Sequence, residues 1–464
     1  MTAHVPTLVV GAGISGLVCA HALLKAGIDA QVVESSAFPG GVIRTERRDG
    51  YLLEFGPQSF NTTSALLTLF RELHIDDQLL PAPGNVPRYV LVKGTLRPVP
   101  LSPPAFIASS LFSPVTKLRI LRVILGRSSP PKNDESVAAF TRRKFSRELL
   151  DKLVGPFVSG IYAGDPEKLS LRSAFPQVYE AEKSAGSVIR GLLFSARKHA
   201  ASAEKPTLQT FREGNQTLIQ ALAANLGSNL RCGVTAQRVR PTTASGDTTS
   251  DTPAFEVTLL TNDREEVLTT NRLIIATPAQ QAATLVRGVD PQFESALSPI
   301  AYAPVAVVSL GYPKSAIHHS LEGFGFLVPR SSGLRILGTV WNSSLFSNRA
   351  PEGQVLLTSF VGGTTDPSAI SLPESEIVSI VHHELASVLG IPQPPPFSHV
   401  QTWQHAIPEY NLGHVQRMNQ LTQMQSKYPS IRLIGNYLRG PALGACVEQA
   451  LTIAQETIKE DRAA

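Results

Sequence analysis

Apolar residues along the chain fall into runs of two periods, and turn-forming residues bound most of them. Thr7–Val10 is a short apolar run of the kind that forms a strand buried on both faces. Leu17–Ala26 has helical spacing and is closed by Gly27, and Asp29–Glu34 reads as a second strand ending on an acid. Residues 60–80 predict an amphipathic helix with Leu66, Leu67, Leu69, Phe70 and Leu73 on one side. Tyr89–Val92 and Leu96–Val99 predict a hairpin around Lys93-Gly94. Residues 135–200 read as helical, interrupted by a glycine-rich loop at 155–164. Residues 241–254, rich in Thr, Ser and Asp, read as a mobile loop between strands. Phe255–Leu260, Val267–Thr270 and the buried run Arg272–Pro278 are strand candidates. Val305–Gly311, Phe326–Pro329 and Val355–Phe360 predict a second sheet. Glu374–Gly390 predicts a helix, with Glu374 and Glu376 early in it and Gly390 past its end, and Pro394–Pro396 an extended connector. Ile431–Asn436 is a late strand, followed by Gly440, Gly444 and a helix from Val447. No internal repeat is visible.

The first of these transitions carries chemistry. Gly11-Ala12-Gly13-Ile14-Ser15-Gly16 stands between a strand and a helix, and the acid Glu34 ends the next strand eighteen residues after Gly16. This is the order of a dinucleotide-binding βαβ unit. Gly11 permits the tight turn, Gly13 lets backbone approach a pyrophosphate, and Gly16 lets the helix pack on the strand. The helix N-terminus offers N–H groups and a partial positive charge to phosphate. Glu34 suits ribose hydroxyls, a charge-assisted bond worth roughly 1.5–3 kcal/mol. Pro39-Gly40-Gly41-Val42-Ile43-Arg44-Thr45 follows, and then Glu54-Phe55-Gly56-Pro57.

Length and charge narrow the picture. The 464 residues exceed one core and suit two or three domains. A net charge of +5 is mild for this length, and no zinc finger or basic-aromatic array points to nucleic acid. Cys19, Cys232 and Cys446 are far apart and imply neither disulfides nor a metal site; they fit a reducing compartment. His318-His319 and His382-His383 are adjacent pairs, not the i, i+4 spacing of helical ligands. The N-terminus lacks the pattern of a secretory signal, and no apolar run reaches the ~20 residues of a membrane span. In 98–127, Ile120, Leu121, Val123, Ile124 and Leu125 alternate with Lys117, Arg119, Arg122 and Arg127. This is either a domain helix with a solvated basic face or an interfacial membrane segment.

The stretch 39–57 resembles the extended fingerprint of FAD-binding proteins, which distinguishes FAD from NAD. Four further stretches resemble the protoporphyrinogen oxidase family, within the amine oxidase and phytoene desaturase superfamily. They are Pro156–Ser170 with Ala174-Phe175-Pro176, Ala406–His414, Gly435–Gly440 with Gly444, and Tyr89–Pro100 with Arg88 before it. The resemblance implies an α/β plus α+β fold: a discontinuous Rossmann-like FAD domain (1–80, 205–278, 415–464), an inserted mixed-sheet substrate domain (81–97, 279–414) and a helical, membrane-associating domain (98–204). It adds Ile14, Ser15, Ser35, Gly40, Gly41, Arg44, Gly56, Pro57, Val234, Thr277, Gly435, Asn436 and Val447 to the cofactor contacts of Gly11, Gly13, Gly16 and Glu34.

The family's substrate is a reduced tetrapyrrole with acidic side chains, oxidised at flavin N5 in three two-electron steps, with oxygen or another acceptor reoxidising the flavin. By this resemblance Arg88 pairs with a propionate, as a guanidinium can bidentately; the bland reading is a solvated arginine. Gly160, Ala163 and Gly164 match a loop that lets backbone approach the pyrroles, or form a plain turn. Trp341 stacks on a pyrrole or sits in the core, and Phe326 and Leu327 are pocket walls or core. Tyr410 and His414 lie in a family motif, with His414 a general acid or a packed ring. Glu213 stands where the family usually has glycine, which puts flavin contacts there in question. Arg88 and the apolar set Val42, Leu91 and Trp341 lean towards protoporphyrinogen over coproporphyrinogen. Oxidation of an amine or polyene, and a non-catalytic flavin-binding role, are the other readings. Localisation is expected to be cytoplasmic, peripheral on the inner face of a membrane (mitochondrial if eukaryotic) through 98–127. A homodimer and hand-off to the chelatase stay open.

Overall fold

A computed structural model describes residues 3–84, 86–126, 128–192, 207–242 and 254–463. Its strands are β1 (Ala3–Val10), β2 (Ala30–Glu34), β3 (Thr45–Arg48), β4 (Tyr51–Glu54), β5 (Phe60–Asn61), β6 (Leu79–Pro81), β7 (Arg88–Val92), β8 (Thr95–Pro98), β9 (Leu208–Phe211), β10 (Leu230–Cys232), β11 (Val234–Pro241), β12 (Phe255–Thr261), β13 (Arg264–Ile275), β14 (Tyr302–Pro313), β15 (Gly325–Leu327), β16 (Ile336–Trp341), β17 (Gln354–Gly362), β18 (Phe397–Pro408) and β19 (Ile431–Leu433).

The first sheet has the order β10-β2-β1-β13-β12-β11, and β19 pairs with the end of β13. The strands β10, β2, β1, β13 and β19 are mutually parallel, whereas β11, β12 and β13 form an antiparallel meander. Parallel strands are covered on both faces, and alternation along β1 shows it. Leu8 and Val10 enter one core with Leu273 and Ile275, while Val9 enters another with Leu17, Leu66, Leu222 and Val447. The long β13 joins two runs that the sequence presents separately, 267–270 and 272–278. The helices Ala279–Val286 and Pro291–Leu297 pack on the first sheet through Ala282, Leu285, Phe293 and Leu297. Residues 279–300 therefore belong with that sheet and not with the inserted unit to which the sequence reading gave them.

The second sheet has the order β18-β14-β17-β16-β15-β7-β8. One face, with Val308, Leu310, Leu357, Phe326 and Trp341, packs on Ile377, Val381, Leu385 and Leu389 of the helix Glu374–Leu389. The other face turns towards the rest of the molecule. There Leu356 meets Tyr51, Leu53 and Phe55; Val90 meets Leu111, Phe112 and Leu149; and Ala163 meets Val305 and Leu337.

A helical unit lies between β8 and β9. Ser102, Ser113, Ser136, Ser146 and Ser170 each cap a helix there by accepting an N–H three residues on. Glu182, fully buried, binds Lys144 at 2.7 Å and Arg143 at 3.0 Å and ties two of its helices together.

Two segments differ from their sequence pattern. Helix in 60–80 is confined to Ser64–Glu72, because Phe60–Asn61 and Leu79–Pro81 are drawn into strand pairing with β9. Residues 155–162 are not a loop: Gly155–Tyr162 is a helix that follows a π-turn, Leu150–Val154. Pro156 has no N–H to donate, and a first helical turn tolerates that. The polar run 241–254 connects the antiparallel pair β11 and β12; its residues 243–253 lie outside the described ones, as do 193–200 of the long helical stretch. Strands β16 and β18 had no clear signal. Most of β18 is half-buried or exposed, with His399, Gln401 and Gln404 along it, so little apolar alternation shows. No described helix is long and apolar enough to cross a membrane.

Candidate active site

Four parallel strands of the first sheet end on candidate cofactor residues: Gly11 after β1, Glu34 on β2, Thr277 after β13 and Gly435 after β19. Ligands bind at such carboxyl ends. Gly11 has φ +104°, and a Cβ there would lie 3.1 Å from the carbonyl of Ala276. A Cβ on Gly16 would overlap the carbonyl oxygen of Gly11, whereas one on Gly13 would meet nothing within 4 Å. The two motif glycines thus face opposite ways, one into the strand and one into open space. Gly13 caps the helix Ile14–Lys25, which has neither a side-chain cap nor an acid in its first turn. Its first N–H groups are open to an anion.

Glu34 accepts from the Ala12 and Ser36 amides, each at 2.8 Å, and from the Ser35 hydroxyl at 3.3 Å. Its carboxylate is held beside the glycine turn. The second glycine pair folds onto the first: the Gly40 amide donates to the Ala12 carbonyl at 2.8 Å, and Gly41 packs against Gly13. Gly56 has no room for a side chain beneath the Val42 carbonyl, and the Asn215 amide group donates to the Pro57 carbonyl at 2.7 Å. Thr277 Oγ1 is buried with no partner where Gly11 and Gly435 converge. The Gly435 amide donates to Gln449 Oε1 at 3.1 Å, and the Tyr410 hydroxyl donates to the Asn436 carbonyl. These residues fit a flavin dinucleotide: an open glycine turn, a bare helix N-terminus, a fixed acid and an unpaired hydroxyl. Arg44 reaches Glu46 at 3.6 Å and lies over the Phe55 ring. The side chains of Val234 and Val447 are core, so a cofactor could touch only their backbone.

Beneath the second glycine pair, Glu54 is 3% exposed and accepts from the Asn215 amide and the Thr45 hydroxyl, each at 2.8 Å. Burial pushes its carboxyl up to about 7, against those two bonds and the nearby Arg349. Thr45 and Gln216 exchange reciprocal bonds at 2.9 and 3.0 Å, locking hairpin β3–β4 to the helix Gln216–Leu226. Glu213 lies outside this lock. It is exposed and pairs with Arg47 at 2.9 Å, so the carboxylate in place of a family glycine points to solvent.

The second sheet divides the substrate candidates by face. Trp341 and Phe326 lie on the face packed against the helix Glu374–Leu389, with Tyr89 and His319 around the Trp341 ring. Leu91 is in the same core. Trp341 and Phe326 are therefore core residues, and of the set Val42, Leu91 and Trp341 only Val42 is outside that core. Leu327 points the other way, where a Cβ on Gly160 would overlap its Cδ2. Gly160 thus acts in helix-to-sheet packing. Ala163 ends that helix at φ +48°, and its carbonyl already accepts from the Thr364 amide at 2.8 Å. Gly164 packs on Tyr162 with ordinary contacts. By strand register Arg88 shares the side of Val90 and Leu327; its guanidinium is exposed and lies 5.2 Å from the Phe324 ring.

Other residues on this side went unread in the sequence. Phe157 (39% exposed) and Ile161 (45%) stand on the Gly160 face of their helix, and Val340 and Phe360 share the sheet face opposite the core. Helical spacing around Gly160 could have found the first two. Gln58 and Asn342 join the two sheets by a buried amide pair at 2.7 Å. His414 is buried against the Tyr410 ring, and burial beside Arg417 lowers it to about 4. It is a neutral, packed ring at pH 7.

A dinucleotide-fold flavoprotein with an inserted second sheet is the class that fold and site define. Comparison with known proteins agrees. Residues 14–458 match the model of the flavin containing amine oxidoreductases. The chain is 35% identical to a chloroplastic protoporphyrinogen oxidase of Nicotiana tabacum over 98% of its length and 85% of the relative's. It is 30% identical to the coproporphyrinogen III oxidase of Bacillus subtilis (strain 168), with 97% of each chain covered. A crystal structure from Exiguobacterium sp. 255-15 superposes with a TM-score of 0.80 at 22% identity, covering 99% of this chain and 100% of that one. The chain belongs to the flavin containing amine oxidoreductase family and, within it, to the protoporphyrinogen oxidase family. It is a flavin oxidoreductase, and its cofactor is FAD.

Proposed function

We propose that this chain oxidises a porphyrinogen, protoporphyrinogen IX in the first instance, to the aromatic porphyrin in haem biosynthesis. The observation that carries the reading is the sheet side opposite the core: apolar Leu327, Val340, Phe360, Phe157 and Ile161, with the exposed guanidiniums of Arg88, at the start of β7, and Arg97, opposite Val90 on the edge strand β8. An apolar macrocycle with carboxylates at its rim is complementary to that surface. The name of the tobacco relative points the same way.

Bound FAD would supply the two-electron acceptor for each of three oxidations. The chain's own residues bind and orient. Gly11, Gly13, Gly16 and the bare helix N-terminus would hold the pyrophosphate, Glu34 the ribose, and Thr277, Gly435 and Asn436 the remainder of the cofactor. Arg88 would fix a propionate, and Leu327 with Phe157 and Ile161 would exclude water from the ring.

Coproporphyrinogen is the second reading. Leu91 and Trp341 are core and do not favour the less acidic substrate, and the Bacillus subtilis relative carries the coproporphyrinogen name. Anaerobic mixing of the holoenzyme with each porphyrinogen, followed at the flavin band and then by porphyrin fluorescence in air, tests both. Faster flavin reduction by protoporphyrinogen supports the first reading, and preference for coproporphyrinogen supports the second. No reduction by either rejects both.

The helix Pro114–Leu125 leaves Val115, Leu118, Leu121 and Leu125 exposed, beside exposed Leu101 and Ile107, with Lys117, Arg119 and Arg122 interleaved. This supports peripheral contact with an anionic membrane, where an apolar substrate would be available. Vesicles containing phosphatidylserine should bind the protein at low salt and release it at high salt; no binding at low salt rejects the contact.

A further inference from the structure

A charged side chain of the second-sheet unit reaches into the cofactor unit and starts a directed series of hydrogen bonds there. Arg349 stands in the loop 346–353 that leads into β17, and it is buried. Its backbone carbonyl accepts the Leu52 amide of β4 at 3.1 Å, which anchors it across the boundary of the two units. Its Nη2 donates to the Thr210 hydroxyl and to the Phe211 carbonyl of β9, each at 2.9 Å. The guanidinium lies over the Phe346 ring, 5.6 Å from its centroid.

Direction is fixed at every step. A guanidinium only donates, so Thr210 Oγ1 accepts from it. That leaves the one hydroxyl proton for Asn215 Oδ1, at 3.0 Å. With its oxygen towards Thr210, the Asn215 carboxamide turns its NH2 end the other way, and Nδ2 donates to the Pro57 carbonyl at 2.7 Å. Thr210 and Asn215 are buried as well. The series thus runs from the second sheet to segment 54–57, and its last bond sets the plane of the Pro57–Gln58 peptide.

A buried guanidinium is costly, and an apolar side chain would fill the space against Phe346 at less cost. An apolar side chain could not orient Thr210, and through it the Asn215 carboxamide, whose two ends are alike in shape and differ only in hydrogen bonding. A reversed carboxamide would set its oxygen against the Pro57 carbonyl, two acceptors face to face, and the peptide would have to turn.

We infer that Arg349 is a positioning residue for the flavin: through Thr210 and Asn215 it holds the Pro57–Gln58 peptide in the orientation that the cofactor meets. This rests on the reading that Gly56 and Pro57 contact FAD, and it needs no choice of substrate. A Pro57 carbonyl freed from its donor places more negative charge beside the flavin and disfavours added electrons. Breaking the series therefore lowers the flavin's midpoint potential.

The test is that potential, read in the anaerobic holoenzyme against a reference dye, with the visible absorption band, FAD content and melting temperature recorded. Thr210→Val removes one hydroxyl, and Arg349→Lys keeps the charge but loses the planar fork. Each lowers the two-electron equilibrium constant about tenfold, or about 30 mV, whereas Thr210→Ser, which keeps the hydroxyl, stays within about threefold of wild type. The double variant Arg349→Lys/Thr210→Val goes no further than the larger single shift, because both changes break one series. An unmoved potential in Thr210→Val, or shifts that add in the double variant, overturns the inference; so does a lowered melting temperature alone, the mark of a merely structural arginine. If Arg349→Lys does not fold, Thr210→Val decides by itself. Gly56→Ala, whose methyl would overlap the Val42 carbonyl, is the control for the contact reading. If it too leaves potential and FAD content unchanged, the segment does not meet the flavin and that reading falls, taking the inference with it. If it changes either while Thr210→Val does not, only the role of Arg349 is overturned.

Discussion

The two large sheets carry their proposed sites in different ways. The first presents backbone at the ends of parallel strands: glycine turns, a helix N-terminus and an acid on a strand end. The second presents side chains on one of two faces of a mostly antiparallel sheet, and its opposite face is core. A backbone site leaves a motif in the sequence, because few residues can replace glycine there. A side-chain site leaves only alternation, which has two faces and does not mark which one is empty.

If the contrast holds, the largest loss comes from the glycine turn. Gly16→Val places atoms on the Gly11 carbonyl, and the purified protein should contain no flavin by absorbance at 450 nm (about 450 nm being the usual flavin band). A yellow Gly16→Val protein would break the comparison. Next is a residue on the core face. Trp341→Ala should lower stability by roughly 3–5 kcal/mol in denaturant titration while the KM of the folded fraction stays near wild type; a large KM change with unchanged stability would return Trp341 to the pocket.

Glu54 sharpens the first side of the contrast. Its carboxyl is raised from 4.5 to about 7 in the fold. Between these values the folded state keeps a proton that the unfolded chain releases, so this residue makes stability fall as pH rises from about 4.5 to about 7, and contributes no slope above that. Glu54→Gln should remove the slope, a difference of at most about 3 kcal/mol between pH 4.5 and pH 8. Parallel stability profiles for variant and wild type would show that Glu54 is ionised throughout. A smaller effect is expected at the exposed rim. Arg88→Ala should raise KM for porphyrinogen about tenfold with FAD retained, and unchanged kinetics would remove Arg88 from the site. Smallest is Gly160→Ala, whose new methyl meets the mobile end of Leu327. It should change KM by about threefold, and Leu327→Val should restore it; no change would show that Leu327 moves aside freely.

Much of the first sheet was legible. The turn to Gly16 and the strand to Glu34 were read at nearly their observed limits, because local propensity and buried-strand pattern agree there; of β1 only the buried second half, Thr7–Val10, was read, since its first residues are exposed and polar or small. The hairpin at Lys93-Gly94 and the helix ending before Gly390 were equally plain, each punctuated by glycine with positive φ. The helical segment 155–162 was misread because its two glycines and a proline suggest a loop, whereas Pro156 is tolerated in a first turn and Gly160 is required by Leu327. Residues 279–300 were misplaced because nothing local states which sheet a helix will cover.

By itself, then, the sequence determined what depends on backbone allowances and local period: the dinucleotide turn, the acid at position 34, most strands and helices, and the resemblance those motifs carry. Tertiary structure alone decided that Trp341 and Phe326 face a helix while Leu327 and Arg88 face the open side, and that Glu213 points to solvent. It alone brought Gln58 to Asn342 across 284 positions of chain. The physical reason is that a face of a sheet becomes core or site only when another layer packs on one side, and that choice depends on residues far away in the sequence.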